Sequence, residues 1–376
     1  MPATPSSPKQ DGATASKGYT SEEQTSHESW WSNENIIALL KSWLSPENII
    51  TLLVGAGLIW ATLRAGKVNN NNQSEELKTQ IEATTKLIEE YKRKSEETAK
   101  DTQAAAKFSE GNAKFKRGDF AGAITDYAEA INLNPDAVEA YDNRGNAKLG
   151  QGDIEGALAD YNKAIRLNPN DAVAYNNRGL AKERQGKIDD AMKDYDIAIR
   201  LNPNYANTYT NRGATKYDKG DWAGAIADYD EAIRANPNFS GAYNNRGNAK
   251  LEQDDIKGAI ADFNEAIRLD PNEASTYNNR GSARKLQEDF DGAIADYNEA
   301  IGLKPNYATA YFNRGNAKRT QGKFDDAIAD FDKAIELARA QNMSESFISH
   351  IGLIASDAIH RRHMAENPEN PDDSET

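Results

Sequence analysis

The sequence predicts an all-α fold made of seven helix-turn-helix modules in a row. A period of 34 residues recurs seven times between residues 104 and 341 with no insertion. Within each period, glycine and alanine recur where two helix backbones must approach closely. A proline recurs where the second helix must stop, because proline cannot continue a helix. Each module is therefore expected to hold a helix, a tight turn, a second helix and a proline-bearing turn.

Columns of identical residue types fix the register of these modules. The glycine column is Gly111, Gly145, Gly179, Gly213, Gly247, Gly281 and Gly315. The aromatic column is Tyr127, Tyr161, Tyr195, Tyr229, Phe263, Tyr297 and Phe331. We expect each aromatic ring to fill the gap beside the glycine of its own module.

The array resembles the tetratricopeptide repeat family. In the second module the family's signature positions hold Tyr141, Gly145, Ala157, Tyr161, Ala164 and Pro169. Five later modules repeat the pattern closely, and the chain resembles membrane-anchored bacterial members of the family. The resemblance implies a right-handed α-solenoid of seven repeats, whose first helices line an inner wall that binds other proteins.

Two signature positions in the first helices depart from the family, because they hold basic residues instead of leucine and an aromatic. They are Arg144 and Lys148, Arg178 and Lys182, Arg212 and Lys216, Arg246 and Lys250, Arg280 and Arg284, and Arg314 and Lys318. The second helices carry a matching aspartate column at positions 126, 160, 194, 228, 262, 296 and 330. We predict an ion-pair ladder between the two helices of each module. A bare phosphate-binding stripe of basic residues is the alternative.

Two rows of asparagines are the candidate peptide-binding residues. The resemblance implies that the first row lies along the groove: Asn143, Asn177, Asn211, Asn245, Asn279 and Asn313. A second, partial row is Asn112, Asn146, Asn248 and Asn316. Asparagine carries both a donor and an acceptor, which suits hydrogen bonding to the main chain of an extended peptide. The alternative is that these amides only tie neighbouring helices together.

One specialised binding mode of the family is not reproduced here. Members that bind chaperones clamp a C-terminal carboxylate with lysines, whereas the matching positions of this chain hold Phe108 and Asp142. A chaperone co-factor is therefore not the favoured interpretation.

The residues before the array predict a membrane anchor. We expect a disordered tail over 1–29, an interfacial amphipathic helix over 30–45 and a transmembrane anchor over 46–66. The anchor is predicted because residues 48–63 are uncharged and apolar. A buried helix or a cleaved leader is the alternative. Basic residues are sparse before this segment and frequent after it, so the positive-inside rule predicts a single-pass membrane protein with a cytoplasmic repeat domain.

Three further segments complete the predicted organisation. Residues 74–105 form a charged helix with a short heptad seam, predicted as a spacer or as a short coiled coil that pairs two chains in a homodimer. Residues 342–364 are predicted to form a helix that covers the exposed end of the array. Residues 365–376 are expected to be a disordered acidic tail.

Composition and motifs argue against several functional classes. The formal charge of -14 disfavours nucleic acid as a partner, and the absence of cysteine removes thiolate chemistry. No phosphate loop, nucleophile elbow or zinc-protease motif occurs, so we expect no catalytic residue, no cofactor and no metal. His350, His360 and His363 lack acidic or cysteine partners at ligand spacing.

These observations predict a membrane-tethered scaffold that binds an extended segment of a partner protein in the groove of the array. Three alternatives remain open at this stage. One is a self-associating membrane organiser that pairs through residues 74–105. The others are an assembly factor for a membrane protein complex and a soluble or exported adaptor without an anchor.

Overall fold

The computed structural model describes residues 71–366. Every helix in this range is an α-helix, and no strand occurs within it. The segments predicted over 1–29, 30–45 and 46–66, and the acidic tail from residue 367 onward, lie outside the described residues. Among residues 71–366, no helix has the length and apolar character needed to cross a bilayer.

The described chain forms fifteen helices that alternate with short turns. They are α1 Asn71–Lys116, α2 Phe120–Leu133, α3 Val138–Gly150, α4 Ile154–Leu167, α5 Ala172–Arg184, α6 Ile188–Leu201, α7 Ala206–Asp218, α8 Trp222–Ala235, α9 Ser240–Leu251, α10 Ile256–Leu269, α11 Ala274–Leu286, α12 Phe290–Leu303, α13 Ala308–Thr320, α14 Phe324–Ala340 and α15 Glu345–Glu366. The repeated helix-turn-helix pattern confirms the predicted all-α repeat architecture.

The chain divides into two compact units, Met1–Ala105 and Ala106–Thr376. The described part of the first unit is the helical stretch over residues 71–105. Its surface carries ion pairs such as Lys78 with Glu75 at 2.8 Å and Lys94 with Glu90 at 2.8 Å. Leu87 is 63% exposed. The spacer and coiled-coil interpretations of residues 74–105 stay predictions.

The second unit contains the repeated modules, whose helices begin and end at defined signals. The second helix of module two begins after Asp153, whose carboxylate accepts a hydrogen bond from the Gly156 amide at 2.9 Å. The same helix ends at Asn168, which adopts an extended conformation with φ −131°. The following Pro169 disfavours a helical conformation at that residue. The N-cap recurs at Asp119, Asp221, Asp255 and Asp289.

The glycine and aromatic columns pack against each other as predicted. A Cβ added at Gly145 would lie 2.6 Å from Cε1 of Tyr161, a distance that real contacts do not reach. The ring of Tyr161 is fully buried, as are the rings at most equivalent positions. Because only glycine leaves room for the ring, this pair sets how closely the two helices of a module approach.

Helix α15 packs on the last module of the array. Ile351 is buried there in a cluster that includes Phe331 and Ala334, and Ile348 is buried in a neighbouring cluster with Ala338. Leu353 is 72% exposed and Ile359 is 47% exposed, so these two apolar side chains of the helix do not contribute to this contact.

Candidate functional site

The basic column of the first helices is held by the aspartate column of the second helices. Arg178 donates from Nε to Asp194 Oδ2 at 2.8 Å and from Nη2 to Asp194 Oδ1 at 2.7 Å. Lys182 reaches Oδ2 of the same carboxylate at 2.7 Å. The same arrangement recurs in every module from the second to the seventh. The predicted ion-pair ladder is confirmed.

The arginines also connect neighbouring modules. The Nη1 group of Arg212 donates to Asp196 Oδ1 at 2.6 Å, in the second helix of the preceding module. The guanidinium of Arg212 also lies 5.8 Å from the ring centroid of Tyr209. Because these contacts use the arginine donors within the array, the interpretation as a bare phosphate-binding stripe is wrong.

The first asparagine row makes hydrogen bonds between modules. The side-chain amide of Asn211 donates to Asn176 Oδ1 at 3.0 Å. Asn279 and Asn313 make the same bond to the residue 35 positions earlier, and Asn143 donates to Asn112 Oδ1 at 2.9 Å. These contacts mean that the row does tie neighbouring helices together, which was the alternative interpretation.

The asparagines of the first row also retain side-chain donors or acceptors that no residue within 71–366 uses. Asn177 and Asn245 accept through Oδ1 from the preceding residue, at 3.2 Å and 3.4 Å. Their side-chain N–H groups, and the Oδ1 atoms of Asn211 and Asn279, have no hydrogen-bond partner among residues 71–366. In modules three and five both side-chain N–H groups are therefore uncommitted, whereas in modules four and six the Oδ1 atom and one N–H group are uncommitted. The row thus offers both donors and acceptors. An extended peptide main chain presents its own donors and acceptors in alternation.

The second asparagine row separates into two kinds of residue. Asn112 and Asn146 accept hydrogen bonds from the hydroxyls of Tyr127 and Tyr161, each at 2.7 Å. Where the aromatic column holds phenylalanine, at positions 263 and 331, no hydroxyl is present. The side chains of Asn248 and Asn316 in those modules have no hydrogen-bond partner within the described part of the chain. Asn112 and Asn146 are thus structural, whereas Asn248 and Asn316 remain available to a ligand.

The middle of the array contains a pocket that brings several of these groups together. It encloses about 260 Å³ and is lined by Asn176, Asn177, Leu180, Tyr205, Asn207, Thr210, Asn211 and Phe239. None of these side chains is charged. A pocket of amides, a hydroxyl and two aromatic rings suits a peptide main chain with an uncharged side chain.

Asp142 is a groove residue that the sequence reasoning did not select as a site. It is 6% exposed, and burial together with Asp171 raises its pKa from 3.8 to about 8. Its carboxyl is therefore mostly protonated at neutral pH. Asn176, Asn244 and Asn278 occupy the equivalent position in other modules. In the sequence, the signal that could have identified Asp142 is an aspartate at a position that holds asparagine in three other modules.

Most of the array matches known repeat families. The family described as TPR repeat matches residues 111–152, 145–186 and 283–318. Two families described as Tetratricopeptide repeat match residues 210–274, and residues 172–205 and 308–340. The search of curated proteins found no match to this chain.

Solved structures share the fold. A tetratricopeptide repeat protein from Parabacteroides merdae is 19% identical, with a TM-score of 0.51 over 69% of this chain and 99% of that chain. The Cut9–Hcn1 hetero-tetramer is 18% identical, with a TM-score of 0.57 over 66% of this chain and 48% of that chain. MamA is 28% identical over 44% of this chain and 96% of that chain, with a TM-score of 0.41. The family matches, which together span more than half of the chain, and the repeated glycine and aromatic columns show that the chain belongs to the tetratricopeptide repeat family.

Proposed function

We propose that the chain is a protein-interaction scaffold that binds an extended segment of a partner protein along its asparagine rows. Tetratricopeptide arrays are generally non-catalytic interaction scaffolds, and function is argued here from the site instead of from the fold. The proposal depends on one observation above all, the uncommitted amide groups in modules three to six. A surface with uncommitted donors and acceptors can form hydrogen bonds with the N–H and C=O groups of a peptide main chain.

In the middle of the array, the scaffold recognises mainly the backbone of the partner segment. The pocket between Asn177 and Phe239 has no charged lining, so it offers no ion pair to an incoming side chain. Affinity there comes from hydrogen bonds to the main chain and from apolar contact with Tyr205 and Phe239. Such a surface tolerates different side chains while requiring an extended backbone.

The second part of the proposal is that residues 46–66 tether the scaffold to a membrane. This part follows from the apolar sequence of that segment, with basic residues after it. The scaffold would then hold its partner close to the bilayer. Flotation of the full-length chain with lipid vesicles tests the tether, and recovery of the whole population in the vesicle-free fraction would contradict it.

Selection from a displayed library tests the peptide-binding proposal. The probe is a library of random peptides of about 12 residues, held between fixed flanks so that no terminus is free. The purified full-length chain is compared with a chain carrying Asn177→Ala and Asn248→Ala. Removal of two main-chain contacts is expected to weaken selected peptides about tenfold or more.

The matched control carries Asn170→Ala and Asn238→Ala. Both residues lie exposed in turns between modules, and their side chains form no hydrogen bond within the described residues. The control is expected to bind like the unmodified chain. Equal peptide affinity of all three proteins would show that the asparagine rows are not the binding surface.

The self-association alternative is tested separately. It predicts that the full-length chain pairs through residues 74–105, so the mass measured by light scattering should halve on dilution. Leu87→Lys should then favour the single chain, because Leu87 is 63% exposed and directly precedes Ile88, a residue of the predicted heptad seam. A mass that corresponds to one chain at every concentration would contradict self-association.

A further inference from the structure

A second pocket lies at the C-terminal end of the repeat unit, between helices α11, α13 and α15. It encloses about 540 Å³, about twice the volume of the pocket in the middle of the array. Its lining includes Lys285 and Arg319 from successive first helices and His350 from α15. The pocket therefore gathers basic side chains in a chain whose formal charge is -14.

Lys285 has no counter-ion among the described residues. It forms no ion pair with any of residues 71–366, although Glu288 lines the same pocket. Burial lowers the pKa of the Lys285 ammonium, and the nearby Arg319 lowers it further. A half-buried cation beside a second cation is costly unless an anion joins them.

Arg319 also retains capacity for a ligand. Its Nη1 group is bonded to Asp357, and that carboxylate is shared with Arg361, whose Nε lies 2.9 Å from Oδ2. The Nε atom of Arg319 is buried without a hydrogen-bond partner. One carboxylate thus serves two guanidinium groups, which leaves positive charge on this side of the pocket.

The position of Lys285 within its module is basic only in modules six and seven. The equivalent residues of modules two to five are Leu149, Glu183, Tyr217 and Leu251, and only modules six and seven hold Lys285 and Arg319. These two residues do not belong to the arginine and lysine columns that pair with aspartates. The structural explanation of those columns does not apply to them.

Apart from Glu288, the remaining lining is apolar or can donate a hydrogen bond. Leu286 is 57% exposed in the pocket, close to Phe290 and Ile354. Asn316 adds a side-chain amide with no partner within the described residues, since Phe331 replaces the tyrosine that occupies such an amide in other modules. Cationic and amide donors beside an apolar surface fit an acidic side chain that is followed or preceded by a large apolar one.

We propose that this pocket selects an internal Asp or Glu of the partner segment, next to a large aliphatic or aromatic residue. The inference rests on the proposed peptide-binding function and names the chemistry of one end of the bound segment. The middle pocket accepts the uncharged part of the segment, and the C-terminal pocket fixes its register by charge. Charge complementarity is the reason for choosing an acidic side chain, because Lys285 and Arg319 lack a full complement of carboxylates.

The sequences selected from the library described above test this inference. Against the full-length chain, selected peptides should be enriched in Asp or Glu beside Leu, Ile, Phe or Tyr. Lys285→Gln should remove the enrichment, and Lys285→Glu should replace it with a preference for Lys or Arg. The control Lys257→Gln should change nothing, because Lys257 is exposed on α10 and forms no ion pair within the described residues.

A double-mutant cycle measures the contact directly. Exchange of the selected acid for its amide should weaken binding to the unmodified chain about tenfold, and should have little effect on Lys285→Gln. The tenfold loss measured with the unmodified chain should become smaller as salt is added. Fluorescence anisotropy of the labelled peptide provides both measurements.

The possible results separate this inference from the proposed function. Peptides selected without acid enrichment, or with enrichment that survives Lys285→Gln, would overturn the inference and leave the proposed function standing. An acid preference seen only with a free peptide C-terminus would also overturn it, as would a concentration-dependent dimer that Lys285→Gln abolishes. Failure to select any peptide would remove the proposed function, and the inference with it.

Discussion

Arg178 and Asp194 form a bidentate ion pair between the helices of one module, with N–O distances of 2.8 Å and 2.7 Å. The aspartate side chain is 3% exposed, and the arginine side chain is 17% exposed. The pair is therefore largely shielded from water. It holds two first-helix cations on one buried carboxylate, because Lys182 binds the same group.

Removal of Asp194 should strongly destabilise the array. Asp194→Ala leaves the guanidinium of Arg178 and the ammonium of Lys182 partly buried without their anion. We expect a loss of about 3 kcal/mol in the free energy of unfolding. Urea unfolding followed by circular dichroism measures it. The control is Asp190→Ala, whose partner Lys193 is 72% exposed and whose loss should hardly move the transition.

The sequence was sufficient to predict this ladder but not the roles of the asparagines. The ladder involves two helices of one module, and a strict period brings the same two columns together every time. In the first asparagine row, by contrast, Asn211, Asn279 and Asn313 donate to the residue 35 positions earlier, which is an asparagine in each case. Where that residue is Asp142 or Thr210, Asn177 and Asn245 instead accept from the residue before them. The column looks uniform in sequence, whereas its partners are not.

The C-terminal pocket could not be predicted for a related reason. Two of its walls belong to modules six and seven, but the third is α15, which has no counterpart in the period. In the sequence, His350 was one of three histidines without an acidic or cysteine residue at metal-ligand spacing. In the structure its ring lies 5.7 Å from the ring centroid of Phe312, which fixes it beside the end of the groove.

Glycine substitutions should change stability in opposite directions at two positions. Gly145→Ala forces a Cβ to within 2.6 Å of Tyr161 and should cost about 2 kcal/mol through overpacking. Gly302 lies in helix α12 with nothing within 4 Å of an added Cβ. Gly302→Ala should therefore stabilise the array by about 0.5–1 kcal/mol, because alanine favours the helix. Thermal unfolding of the two variants measures the direction of each stability change. A loss of stability in both variants would contradict the packing explanation.

Asp142 should make stability depend on pH. Its pKa in the folded chain is about 8, against an ordinary value of 3.8, so the folded state keeps a proton that the unfolded state releases between these values. The free energy of unfolding contributed by this group should fall as pH rises through that window, by up to about 1.4 kcal/mol per pH unit.

Asp142→Asn isolates this effect. Asparagine is what modules three, five and six carry at the position, so the change is compatible with the array. The variant should be more stable than the unmodified chain near neutral pH, and its unfolding free energy should fall less steeply between about pH 5 and about pH 8. Urea unfolding at several pH values checks the slope. Identical slopes for the two proteins would show that Asp142 is already ionised in the folded chain.

Phe263→Tyr should raise stability and lower peptide binding at the same time. In module two the hydroxyl of Tyr161 donates to Asn146 at 2.7 Å, and the new hydroxyl should reach Asn248 in the same way. This bond should stabilise the array by about 1 kcal/mol. It also occupies an amide oxygen that we assign to the partner segment, so selected peptides should bind severalfold more weakly.

Tyr161→Phe is the reverse change, and should cost about 1 kcal/mol while exposing Asn146. Because a general structural defect would lower stability and binding together, opposite signs in Phe263→Tyr separate a role in binding from a role in folding. Peptide affinity unchanged by Phe263→Tyr, in a protein that it stabilises, would remove Asn248 from the binding surface.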